Sequence, residues 1–199
     1  MRLLLVSDLH CNAKAARRLV EESREVDVVI GAGDFGNQRR GLEICLPILR
    51  EITKPAVLIA GNNESPEELR RACDNWPSAN VLHGTSVTIN DWTFFGLGGG
   101  VPETPFGDWS FDLSEADAAK LLQPCPENCI LITHSPPKGW VDVSSQGVSL
   151  GSVAIRDAMI RTHPRLVACG HIHASGGQTA HFQNTTIINA GPDGITWNL

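Results

Sequence analysis

No stretch of the chain is apolar for long enough to cross a membrane, and its apolar runs are each a handful of residues. The opening run, Leu3 to Val6, is too short for the core of a secretory signal, and no small-residue cleavage site follows it. A signal peptide is therefore not expected. Basic residues are sparse: 16 Lys and Arg stand against 22 Asp and Glu, a net charge of −6. An acidic balance without basic clusters argues against an extended nucleic-acid footprint. It does not exclude a small anionic substrate, because bound cations would dominate the local field. Cysteine occurs six times but never as CxxC. Cys45, Cys73 and Cys169 sit among apolar residues and read as small buried hydrophobes. Cys125 and Cys129 flank a turn, where a zinc pair is the minor reading. Together with Cys11, they are expected as reduced thiols of a cytoplasmic protein. Repeats, low-complexity tracts and linkers are absent as well. At 199 residues, 42% hydrophobic and 19% charged, the chain is expected to form one globular domain over 1–199.

What is present is a series of short apolar runs that each end in polar residues. Leu3 to Val6 runs into Ser7-Asp8-Leu9-His10. Val26 to Ile30 runs into Gly31-Ala32-Gly33-Asp34, and Pro55 to Ala60 into Gly61-Asn62-Asn63-Glu64. Continuous runs of this length read as strands buried on both faces. Helices are expected between them: over Ala13 to Glu22 behind an Asn12 cap, over Leu42 to Glu51 with Pro47 against its regularity, and from Ser65. Ser65, Pro66 and Glu68 form a capping box with proline at the first helical position. Strand and helix alternate, which implies a parallel sheet with crossovers and a site at the carboxyl ends of its strands.

Beyond Asn80 the texture changes to shorter strands, at Val81-Leu82, Ser86 to Ile89 and Trp92 to Leu97. Two long loops follow, Gly98 to Asp112 and Ser135 to Gly151, a length that ordinary domains keep for function. Between and after them come a helix over Ser114 to Gln123, a strand Cys129 to Thr133 ending in His134, and a helix over Ser152 to Thr162. Leu166 to Cys169 reads as a strand ending in Gly170-His171-Ile172-His173. The remainder reads as short strands, with Gly191-Pro192-Asp193-Gly194 as a hairpin-like turn.

Five apolar runs thus end in Asp8/His10, Asp34, Asn62, His134 and His171/His173. In extended backbone, side chains two apart share a face, so Asp8 with His10 and His171 with His173 are expected to point together. One carboxylate–imidazole pair is as well explained by mutual hydrogen bonding as by a metal. Five such tips in succession are not. Seven candidate ligands exceed the needs of one zinc site and suit two adjacent metals with a shared carboxylate.

The segments VSDLH, GAGDF, AGNNE, THS and CGHIH run in order from Asp8 to His173. In order and spacing the chain resembles the calcineurin-like metallophosphoesterases, whose motifs are DxH, GD, GNH(D/E), H and GHxH. With Asn12 after DLH it is most similar to the small bacterial and archaeal phosphodiesterases of that superfamily. The resemblance implies a four-layer α-β-β-α sandwich with two mixed sheets and a metal site at the carboxyl ends of the strands. It implies Asp8, His10 and His173 around one divalent metal, Asn62, His134 and His171 around a second, and Asp34 bridging them. Manganese is favoured, and the mixed N/O donors also admit Fe, Zn, Ni or Co. The reaction implied is hydrolysis of a small phosphate ester by a metal-bridging hydroxide, with Asn62, Asp34 and Asn63 at the chemistry. A phosphodiesterase is the favoured activity. The alternatives are a phosphomonoesterase or protein phosphatase of the same superfamily, or a non-catalytic metal-stabilised scaffold or binding module.

One departure stands out. The family usually has His where this chain has Asn63, and an amide cannot act as an acid. His83 is a candidate replacement, though a surface histidine is the favoured reading. Arg39 and Arg40 are candidates for contact with the phosphate, though a solvated pair is the favoured reading. Phe106, Trp109 and Phe111 are candidates to wall a pocket for a base or aryl group, to pack in the core, or to form a patch for a partner. No membrane partner is expected, and the sequence is silent on oligomeric state.

Overall fold

The computed structural model describes residues 1–199. Eleven strands form two sheets. The first holds β1 (Arg2–Val6), β2 (Val28–Ala32), β3 (Ala56–Ile59), β4 (Ala79–Val81) and β11 (Ile195–Asn198), in the order β11-β1-β2-β3-β4. Its pairs are parallel except β1 with β11. The second holds β5 (Thr85–Ile89), β6 (Trp92–Leu97), β7 (Ile130–Thr133), β8 (Leu166–Cys169), β9 (Thr179–Phe182) and β10 (Thr185–Asn189). Their order is β5-β6-β7-β8-β10-β9, with antiparallel strands at both edges.

The layers follow from side-chain alternation. Leu4 and Val6 of β1 face a cluster with α1 (Ala13–Glu22), α2 (Leu42–Leu49) and α3 (Pro66–Ala72). Leu3 and Leu5, one residue out of phase, face the other sheet with Val28, Ile30, Val57 and Ile59. There they meet Phe94, Ile130, Ile132, Leu166 and Ile188. Phe95, Leu131 and Val167 point outward again, under α4 (Glu115–Leu122) and α5 (Val153–Thr162). Strands covered on both faces need apolar residues at every position, hence the continuous runs. The expected α-β-β-α sandwich with two mixed sheets is what forms. No helix is long and apolar enough to cross a membrane.

Helix starts follow the expected caps: Ala15 N–H donates to Asn12 Oδ1, and Ser65 and Glu68 close their capping box reciprocally. Several bounds differ from the sequence reading, β4 at Ala79–Val81 rather than Val81-Leu82 among them, and three differences have a plain physical cause. β2 begins at Val28 rather than Val26 and continues through Gly31 and Ala32, because Gly31 pairs with Val6 and Ala32 with Ile59. α2 ends at Leu49, and beyond its interior Pro47 the last turn tightens, with Glu51 N–H reaching the Ile48 carbonyl. The turn at 191–194 is not a hairpin. β10 is already flanked by β8 and β9, so the chain crosses to the other sheet and β11 pairs with β1.

The tips of β2 and β3 are locked together by one side chain. Glu64 is fully buried, and its carboxylate accepts from the backbone N–H groups of Asp34, Phe35 and Gly61 at one oxygen and of Gly36 at the other. Burial and the nearby Asp34 carboxylate raise its pKa to about 7, against the N–H groups of Gly61 and Gly36, which lower it. Removing this acceptor strands buried donors that each cost about 1–3 kcal/mol when unpaired. Glu64→Ala is therefore expected to lower unfolding stability by at least about 3 kcal/mol in urea titration. An unchanged midpoint would show that the tips are held by something else.

Candidate metal centre

The turn after β1 leaves the extended region at once. Asp8 has φ 56°, His10 φ 42° and Cys11 φ 64°, all left-handed. The turn is bonded to the one after β2: His10 N–H donates to the Asp34 carbonyl and Cys11 N–H to that of Phe35. His171 is likewise left-handed, at φ 66°, and His173 opens a 3-10 turn. The expectation that each pair shares a face through strand alternation is therefore corrected. The pairs converge because left-handed backbone turns them inward after the strands have ended.

Two close approaches then register the tips. His171 N–H donates to both oxygens of Asp8, at 3.0 and 3.2 Å, while Ser7 Oγ donates to Oδ2 at 2.6 Å. A Cβ on Gly170 would run into Ser7 and this carboxylate. A Cβ on Gly61 would run into the Asp34 carboxylate, whose Oδ1 accepts from Asn63 N–H at 2.9 Å. Glycine is required at both positions for this reason.

The seven expected ligands come together. Asp8, His10 and His173 place ligand atoms within 4.8 Å of one another, and so do Asp8, Asp34 and His134. His10 Nε2 lies 3.0 Å from His173 Nε2 and 3.6 Å from Asp34 Oδ2. On the other side, His134 Nε2 lies 3.4 Å from Asp34 Oδ1 and 3.2 Å from Asn62 Oδ1. The His171 ring stands 4.9 Å from that of His134. His134 Nδ1 donates to the Ala32 carbonyl at 2.8 Å, which leaves Nε2 facing the cluster. Ligand atoms about 3–4 Å apart match the spacing that metal bonds of about 2.0–2.2 Å leave between neighbouring ligands. The donors are imidazole nitrogens and carboxylate and amide oxygens, the set that borderline divalent cations take. The residues fit a pair of such ions.

The charges are tightly balanced. Burial alone would raise the Asp34 carboxyl, but the charge and hydrogen bond of His134, with Asn63 N–H and His10, hold it well below the usual carboxylate range. Burial opposes charging of His134, yet Asp34 and then Asp8 raise it to about 9. Burial and the neighbouring His134 push His171 down to about 3, so this ring is neutral at physiological pH.

The cluster forms one end of a cleft of about 770 Å³. His10, His171 and His173 line it, as do Asn62, Asn63 and Gln38. Phe106 and Trp109, stacked 5.5 Å apart, and Leu150 make its apolar wall. Phe111 is not part of that wall but sits under the loop against His83. Neither Arg39 nor Arg40 lines the cleft: the Arg39 guanidinium is paired with Glu68 at 2.7 Å. His83 accepts from Gly98 N–H, away from the cleft lining. The Asn63 amide donates to Asp34 Oδ2 at 2.6 Å and accepts from Gln38 N–H at 2.8 Å, so it braces Asp34. The Glu64 oxygens beside it are committed to backbone N–H groups. Cys125 and Cys129 put their sulfurs 3.6 Å apart and join neither ligand cluster.

Comparison with known proteins bears on the fold and the family. The fold is shared with TT1561 of Thermus thermophilus, at a TM-score of 0.76 and 17% identity, covering 96% of this chain and 90% of that one. It is also shared with a dimetal phosphatase from Danio rerio, at a TM-score of 0.62 and 12% identity, covering 95% and 86%. Human metallophosphoesterase domain-containing protein 1 is 35% identical over 116 residues, 55% of this chain and 33% of that protein. The chain spans between 18% and 62% of the length of the curated relatives it matches. Residues 1–175 match the calcineurin-like phosphoesterases as a family. This chain belongs to the calcineurin-like phosphoesterase family.

Proposed function

We propose that the protein is a two-metal phosphodiesterase acting on a small phosphate ester. The observation that carries this reading is the position of Asp34, with one oxygen toward His10 and the other toward His134. A carboxylate so placed suits a ligand shared by two ions, one held by Asp8, His10 and His173 and the other by Asn62, His134 and His171. Bound divalent ions supply Lewis acidity to the phosphoryl oxygens and make water a nucleophile at neutral pH. Manganese is the ion we favour, among those the donors admit. Six free thiols suit a reducing compartment, and we read the protein as cytoplasmic.

The chain's own residues define the rest. No Lys or Arg lines the cleft, so the substrate's charge is met at the metal end alone. Phe106 and Trp109 offer ring faces to an aromatic ester arm. The three imidazoles that line the cleft all belong to the ligand set, and the Asn63 amide holds Asp34. That leaves no side chain to hand a proton to a departing alkoxide. A positioned acid contributes about 10²–10⁴-fold where the leaving group is poor. The reading therefore favours diesters and activated esters over alkyl monoesters.

Three outcomes test it. Asp34→Asn should abolish turnover and reduce bound metal from two ions toward one or none, by elemental analysis after dialysis; a variant that retains both ions and full activity contradicts the shared ligand. Across aryl and alkyl phosphate esters, the rate should fall steeply as the leaving group becomes more basic. Equal rates on alkyl and aryl monoesters would mean that another residue supplies the proton and that a monoesterase is the better reading. Finally, His134 is held protonated until about pH 9 in the metal-free protein, and a ligating imidazole must be neutral. Metal binding at pH 7.5 should thus release about one proton from His134, in addition to any lost by water at the ions, and the His134 share should fade above about pH 9, because His134 then starts out neutral. Calorimetry in buffers of different ionisation enthalpy reads this directly, and a buffer-independent enthalpy would rule it out.

A further inference from the structure

The long loop between β6 and α4 does more than wall the cleft. Its backbone is bonded to the tip of β3: Phe111 N–H donates to the Asn62 carbonyl at 2.9 Å. One residue earlier, Ser110 Oγ accepts from Asn62 Nδ2 at 3.0 Å. Ser110 Oγ also lies 2.9 Å from Asp112 Oδ1 and 3.0 Å from Thr104 Oγ1. Asp112 Oδ2 accepts from Thr104 Oγ1 at 2.6 Å and from Thr104 N–H at 2.9 Å.

The direction of these bonds has a consequence. An ionised carboxylate only accepts, so Asp112 draws the hydroxyl protons of Ser110 and Thr104 toward itself. Ser110 has one proton, and with it given away its oxygen faces Asn62 as an acceptor. An acceptor there demands the NH₂ end of the Asn62 amide, which turns Oδ1 toward His134 Nε2, 3.2 Å away. Reversed, the amide would aim its NH₂ group at the place where a cation belongs. That group donates two protons and offers no lone pair to a metal.

We propose that Ser110 and Asp112 are positioning residues that set which end of the Asn62 amide faces the metal centre. The inference rests on the two-metal reading above. Partners one bond removed from a metal ligand typically contribute about 10–100-fold to metal affinity. The sequence held no sign of this, because the hydroxyl that orients Asn62 lies 48 residues away in the chain.

The test is Mn²⁺ titration by calorimetry on the full chain, as wild type and as Ser110→Ala, Ser110→Thr and Asp112→Asn, with Asn62→Ala as reference. Wild type should take up two ions. Ser110→Ala should weaken one of the two sites by about 10–100-fold and leave the other unchanged. Ser110→Thr, which keeps the hydroxyl, should bind as wild type. Asp112→Asn is near-isosteric and preserves the loop, but its amide can donate to Ser110, so it should weaken the same site. In an Asn62→Ala background the Ser110→Ala loss should vanish, which separates action through Asn62 from general loosening of the loop. Wild-type affinity in both Ser110→Ala and Asp112→Asn overturns this inference alone. A Ser110→Ala loss of the same size without Asn62 also overturns it. A wild type that binds no pair of ions overturns the two-metal reading, and this inference with it.

Discussion

Asp34 carries a negative charge that is 2% exposed, and the arrangement around it is what makes that burial tolerable. A buried carboxylate survives only when it is paired and hydrogen-bonded. Here Asn63 donates to it twice, from backbone and side chain, and His10 and His134 stand against its two oxygens. Its own backbone is fixed by Glu64, a second buried acid that accepts from four N–H groups across the tips of β2 and β3. Glycine at position 61 lets the tips approach closely enough for this. The two sheets matter to the site chiefly as the frame that brings Asp34 of one against His134 of the other.

This arrangement divides the cleft between two kinds of chemistry. The end at the strand tips is dense in charge and lone pairs and nearly dry, while His10 and His173 stand nearer solvent at its mouth. The wall that the two long loops supply is uncharged, with Trp109 and Phe106 on one and Leu150, Ser144 and Ser145 on the other. The substrate we propose, with a single phosphate and an uncharged arm, is suited to that division. A second phosphate would find no cation in the lining.

Much of this was legible in the amino-acid sequence, for a specific reason. Strands such as Leu3 to Val6 and Ile130 to Ile132 are covered on both faces, so they are apolar throughout, and the first polar residues beyond them mark the tips. Asp8, Asp34, Asn62, His134 and His171 could be found that way, and the motif spacing supplied the rest. What stayed hidden depends on backbone torsion or on partners distant in the chain. The left-handed conformations of Asp8, His10 and His171 leave no mark in strand periodicity, so their spacing suggests an extended geometry that the backbone does not adopt. The role of Glu64 is hidden as well, because nothing in its own segment shows that residues 34 to 36 will present three N–H groups to it. The crossing from β10 to β11 has hairpin-like composition at 191–194, and only the occupancy of both edges of β10 sends the chain to the other sheet.

The central claim is that two cations share Asp34. It is tested most directly by anomalous diffraction from crystals grown with Mn²⁺, recorded at the manganese absorption edge. The account predicts two peaks about 3.5–4 Å apart, one on each side of the Asp34 carboxylate. A single peak, or two peaks with Asp34 bound to neither or to only one, would contradict it.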